Sequence, residues 1–191
     1  MKTLGIQIRA VFVLALIAAV CQCVSAQAYK VRPVVPRVKP QLILGGTLTV
    51  SATPAAVSFA LVHGGVAAGS SGVTITTTWN VIGIGATLDL YGYFTSSTAA
   101  LTDGRSPADL IPSSAVLGQV TTGVPTTYTP FTQTAPFGAA GAGLELVNES
   151  FGFTAGGNRT DVLNLEINLS GVPKLPAGTY TGTLTLQATM D

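Results

Sequence analysis

From Tyr180 to Met190 every second residue suits a core: Tyr180, Gly182, Leu184, Leu186, Ala188 and Met190. Between them stand Thr181, Thr183, Thr185, Gln187 and Thr189, all fit for water. A period of two sustained this long predicts a half-buried β-strand. Pro176 to Gly178 supplies the turn before it. Such a strand needs neighbours and a second sheet over its apolar face, so it is expected at or near the centre of a sheet.

The same period recurs upstream. Residues 41–50 alternate through Leu42, Leu44, Gly46, Leu48 and Val50, and residues 56–62 through Val57, Phe59 and Leu61. Residues 73–81 place Val73, Ile75, Thr77, Trp79 and Val81 on one face, which predicts a buried tryptophan. Residues 86–94 turn Leu88, Leu90, Gly92 and Phe94 inward and Asp89, Tyr91 and Tyr93 outward. Strand character returns at 144–153, and 162–169 alternates through Leu163, Leu165, Ile167 and Leu169. Residues 95–141, rich in Ser, Thr, Pro and Gly, read as a long connection with two short edge strands at 115–120 and 126–131. Short strands with frequent turns predict an all-β fold: an antiparallel β-sandwich, Ig-like in the broad sense, as one domain over 41–191.

The beginning of the chain breaks the pattern. Lys2 and Arg9 lead an apolar run from Ala10 to Val20, and Val24-Ser25-Ala26 forms a small-residue cleavage site. Residues 1–26 therefore read as a secretory signal peptide, with an apolar run too short to span a bilayer of about 30 Å. The rival reading is a lipid anchor at Cys21 or Cys23, but Val20 and Gln22 precede them where lipidation needs a small residue. Cleavage after Ala26 would remove both cysteines, leaving no disulfide and no thiolate chemistry. Stability would then rest on burial, and a domain of this size hides roughly 70% of its unfolded surface. The expected location is secreted, in the periplasm or at the cell surface, without a membrane span.

Charge divides the remainder. Residues 27–40 carry Lys30, Arg32, Arg37 and Lys39 with no acid, and are interrupted by Pro33, Pro36 and Pro40. They read as an extended, basic, proline-rich linker. Residues 41–191 hold three basic and eight acidic side chains, a net charge of −5, so no nucleic-acid partner is expected. Charged residues make up only 9% of the chain, against about 25% in ordinary globular proteins, and Ser and Thr solvate the surface instead. Few charges need desolvating when two such surfaces meet.

Catalytic chemistry has little to work with. His63 is the only histidine and precedes Gly64-Gly65, a turn position. The acids are scattered. Glu145 and Glu149 would share a face of a continuous strand, and Glu145 with Glu166 is the remaining pair for glycosidase chemistry. No cluster has metal-ligand spacing, and no glycine stretch has the ending of a phosphate loop. The expectation is a protein that is not an enzyme and takes no cofactor or metal. Tyr91 and Tyr93 beside Asp89 are candidates for an exposed aromatic platform, unless the 95–141 connection covers them.

The closing run Pro176-Ala-Gly-Thr-Tyr-Thr-Gly-Thr-Leu-Thr-Leu resembles the last strand of spore coat protein U-like domains. These are secreted bacterial β-sandwiches related to subunits of archaic chaperone–usher pili. The resemblance implies an exported structural or adhesive protein of a surface coat or fimbria-like assembly. Its partners would be further copies or related secreted subunits, and a periplasmic chaperone. Strand addition suits such assembly, and Leu42, Leu44, Leu48 and Val50 are the strand-pairing candidates. The alternative is a monomeric extracellular or periplasmic binding module, meeting a carbohydrate or protein ligand through Tyr91 and Tyr93.

Overall fold

A computed structural model describes residues 10–20, 46–80, 83–154 and 156–190. Cys21, Cys23, the 27–40 linker, Leu42, Leu44 and Val81 lie outside them. In chain order the strands are β1 (Ala10–Val20), β2 (Thr47–Thr53), β3 (Ala56–Leu61), β4 (Val66–Ala68), β5 (Val73–Asn80) and β6 (Gly83–Tyr93). There follow β7 (Leu101–Thr102), β8 (Leu110–Ile111), β9 (Val116–Val120), β10 (Thr129–Pro130), β11 (Gly143–Thr154), β12 (Gly157–Asn168) and β13 (Thr179–Met190). They form two sheets packed face to face, the expected all-β sandwich. The first runs β11-β6-β13-β1-β3, with β7 joined to β13 and β8 to β7. The second runs β10-β9-β12-β5-β2, with β4 joined to β12. Every described pairing is antiparallel except that of β1 with β3.

Alternation places the core as expected. Leu48, Val57, Phe59, Ile75, Trp79, Leu88, Leu90, Leu163, Leu165, Ile167, Leu184 and Leu186 are all buried between the sheets. Trp79 packs against Phe151 with ring centroids 5.2 Å apart. β13 lies in the middle of its sheet, between β6 and β1. Tyr180 is fully buried and its hydroxyl donates to the Pro176 carbonyl at 3.0 Å, tying the turn to the strand it opens.

Three expectations need revision. Residues 95–141 are not merely a loop with two edge strands. Ala100, Leu101, Ile111, Val116, Val120 and Phe131 are buried in the common core, and β9 lies inside its sheet, between β10 and β12. Of the two expected edge strands only β10 lies at an edge, and it is two residues long. Second, β12 begins at Gly157 rather than 162, because Arg159 and Asp161 continue its inward-facing row with polar side chains. Third, β11 carries a bulge. Its register against β6 shifts between Glu145 and Val147, so Leu146 and Val147 are both buried. After that bulge Glu149 pairs with the core position Leu88, whereas Glu145 pairs with Tyr91 on the outer face. The two glutamates therefore stand on opposite faces of the sheet.

The Asp103-Gly-Arg105 segment is a turn. Gly104 has φ 72°, a conformation that strongly favours glycine, and Asp103 Oδ1 accepts from the Arg105 and Asp109 amides at 3.1 and 3.0 Å.

Thr77 is fully buried in the inward row of β5, and its hydroxyl has no hydrogen-bond partner among the described residues. Thr77→Val keeps the shape and removes the unsatisfied group. It is expected to stabilise the fold by about 1 kcal/mol, read as a higher urea midpoint.

Candidate functional site: a strand-wide slot between β13 and β3

The first sheet is closed by β1, and β1 is the apolar run that the sequence assigns to the leader. Ala10 to Ala19 pair antiparallel with β13, from Ala188 down to Thr179. On its other side Ala15 to Val20 pair parallel with Ala56 to Leu61 of β3. Phe12 stands opposite Leu186, Leu14 opposite Leu184, Leu16 opposite Gly182 and Ala18 opposite Tyr180. Along β3, Leu16 is level with Val57, Ala18 with Phe59 and Val20 with Leu61. Paired residues share a face, so the even-numbered positions of β1 belong to the core face of the sheet.

Take β1 away and ten residues of β13 and six of β3 lose their ladder partners. Neighbouring strands lie about 4.8 Å apart, so the space between β13 and β3 is one strand wide. Its two walls are rows of backbone donors and acceptors, and its floor is the core over β2, which lies beneath both β1 and β13. Such a slot takes an extended segment with apolar residues at alternate positions. Gly182 is fixed from the side away from β1: a Cβ there would run into the Ala100 carbonyl just before β7.

The strand-pairing candidates divide. Leu48 and Val50 are buried in β2, opposite Trp79 and Thr77 of β5 in the same chain. For them to pair elsewhere, β2 would have to leave its own sheet. Leu42 and Leu44 lie outside the described residues.

Tyr91 and Tyr93 stand on the outer face of β6 but are half-buried. Phe137, from the 95–141 connection, covers them with ring centroids 6.2 Å from each. The Tyr91 hydroxyl donates to Glu145 Oε1 at 3.3 Å and that of Tyr93 to Gln187 Oε1 at 3.0 Å. The same neighbourhood corrects the expected exposure of β13. Thr185, Gln187 and Thr189 are buried, although they face away from the core. They pair with Tyr93, Tyr91 and Asp89 on one side, and Thr185 and Gln187 with Val13 and Val11 on the other. Tyr91 and Tyr93, with Phe137 against them, stand beside this polar row.

A second polar cluster escaped the alternation. The Arg159 guanidinium donates to Asp161 through Nε at 2.7 Å and Nη2 at 2.8 Å. Nη2 also reaches the Thr122 carbonyl at 3.0 Å, and Nη1 pairs with Glu149. Thr122 Oγ1 donates to Asp161 Oδ1 at 2.6 Å. Asp161 is 1% exposed and Arg159 half-buried, so this network ties β11, β12 and the loop after β9 together. Burial pushes the Asp161 carboxyl up, but hydrogen bonds from Arg159 and Thr122 and the Arg159 charge hold it below the ordinary carboxylate value. The hydrogen bond with Asp161 raises the Arg159 pKa despite burial, helped by both acids. A cleft of about 420 Å³ opens beside it, lined by Thr122, Val124, Val147, Asn148, Glu149 and Arg159. Its one cation is already engaged by two carboxylates. The signal in the sequence was Arg159 and Asp161 two residues apart, in phase with Leu163.

The remaining candidates are dispersed. His63 is exposed in the turn after β3. Glu145 lies on the outer face of the first sheet and Glu166, on β12, on that of the second, so the sandwich separates them. Among the described residues no three His, Cys, Asp or Glu side chains converge as metal ligands, and no helix is long and apolar enough to cross a membrane. No protein-family model matches the chain, and no curated protein matches it in sequence. What the geometry defines is a β-sandwich whose first sheet has β1 between β13 and β3.

Proposed function

We propose that the chain is an exported bacterial structural protein, of a surface coat or fimbria-like assembly, whose copies join by strand pairing. The observation that carries this reading is the slot between β13 and β3. It is filled by residues that bear the marks of a cleaved leader. Once they are gone, a sandwich with two facing open edges gains main-chain hydrogen bonds and core burial by accepting a strand. The low charge of the chain favours such contact.

The donor is the arm that precedes β2 in a neighbouring copy, with Leu42 and Leu44 as its alternating apolar residues. Residues 27–46 extended would reach roughly 65 Å, enough to leave one sandwich and enter another. The alternative of a monomeric binding module has less support, because Tyr91 and Tyr93 are held by Phe137, Glu145 and Gln187.

Native mass spectrometry and electron microscopy of the secreted protein test the proposal. Oligomers or fibres whose size grows with concentration are expected. A population that stays monomeric at every concentration would exclude assembly.

A further inference from the structure

We propose that residues 10–20 act, before cleavage, as the chain's own temporary strand, and that their removal opens the slot to a second copy. The inference rests on the slot as a strand acceptor. It adds that the uncleaved precursor is self-complemented and therefore closed to assembly.

Three observations meet here. The run from Ala10 to Val20 carries no charge, and the Val24-Ser25-Ala26 site lies just beyond it. Cleavage there would detach the whole of β1 from the domain and leave every other strand intact. The pairing is long on both sides, with ten residues against β13 and six against β3, so β1 is an inner strand and not a frayed edge. The register is also chemically consistent. The even positions of β1 meet Leu186, Leu184, Gly182 and Tyr180, and the odd positions meet Gln187, Thr185, Thr183 and Thr181. A shift of one residue would exchange these two rows against β13 and against Val57, Phe59 and Leu61 of β3 at once.

The chain between the two segments allows the exchange. β1 ends at Val20 and β2 begins at Thr47, so residues 21–46 join the two strands. Intramolecular pairing through such a connection carries a high effective concentration, so a neighbour's arm cannot compete while residues 1–26 remain attached. Cutting after Ala26 converts that pairing into a bimolecular one, and the neighbour's arm then enters the same space.

The test uses the full chain with Ala26→Leu, which removes the small residue that cleavage needs. Cys21→Ser and Cys23→Ser clear the native thiols. Into this chain go Ala15→Cys and Thr183→Cys, which are directly opposite in the register, with Thr183 on the exposed face. Opposed strand residues have Cα atoms about 4.5–5.5 Å apart, within disulfide range. The control pairs Ala15→Cys with Thr179→Cys, four positions off register or roughly 13 Å away. The expected result is a disulfide within one chain for the first pair and about tenfold less for the control. The uncleaved chain should be monomeric, and the cleaved protein should assemble. Equal cross-linking of both pairs, no cross-link, or a cross-link only between chains would overturn the proposal. Adding Leu16→Asp, opposite Gly182, should abolish the cross-link. Its persistence there would show that the cysteines meet without β1 being seated. A cleaved protein that stays monomeric, beside an uncleaved chain that cross-links internally, would overturn both the assembly reading and the opening of the slot to a second copy, and leave only the self-complementation of the precursor standing.

Discussion

Asp161→Ala is expected to cost about 3 kcal/mol, the low end for removing one member of a buried ion pair. The carboxylate is 1% exposed and receives two hydrogen bonds from Arg159 and one from Thr122. Its loss leaves the Arg159 guanidinium with only the more exposed Glu149 and the Thr122 carbonyl. Against a stability of roughly 5–15 kcal/mol the effect is large, and urea midpoints would read it directly. The folded carboxyl titrates below its ordinary value, so its contribution is complete above the unfolded value near 3.9. It is lost as pH falls through the folded value. Acid melts of the native chain should therefore show a loss below about pH 4 that Asp161→Asn largely removes. Equal acid sensitivity in both would contradict the assignment. Arg159→Met with Asp161→Leu should recover most of the loss, because a packed apolar pair needs no desolvation.

Leu186→Ala is expected to cost about 2–5 kcal/mol, the transfer term of a buried leucine plus its cavity. Leu186 is fully buried, opposite Gly92 of β6 on one side and Phe12 of β1 on the other. Its neighbour Thr185 gives a sharper comparison than the sequence suggested. Alternation alone makes Thr185 a surface residue whose loss costs under about 1 kcal/mol. The structure buries it on the outer face, beside Tyr93, so Thr185→Ala should cost about 1 kcal/mol or somewhat more. Both melts should be run at several protein concentrations. Concentration dependence that Leu186→Ala changes would place a second chain in the slot.

The strands that could be read from the sequence are those with one dry and one wet face. β5, β6, β12 and β13 carried their register in their side chains, and Trp79 went where its phase put it. Three features resisted. The row through Arg159 and Asp161 is polar at core positions, so no apolar alternation announced β12 before 162. Leu101, Ile111 and Phe131 reach the core singly from between Ser, Thr and Pro, so no local period announces them. β1 is apolar throughout, and a continuous apolar run does not by itself separate a leader from a strand of a sheet. That ambiguity hid the slot, since its position depends on pairings with β13 between residues 160 or more positions apart. Polarity also misled along β13, because Thr185 and Gln187 report what a surface tolerates, not whether a neighbour covers it.

The slot itself is tested most directly by amide hydrogen exchange on the protein without residues 1–26, along Thr179 to Ala188 and Ala56 to Leu61. These are the two edges that pair with β1 in the structure. Protection of both at assembling concentrations, lost together on dilution, is the predicted result. Fast exchange at both edges in the assembled protein, or protection of both in a monomer at every dilution, would contradict a slot that accepts a strand from another copy.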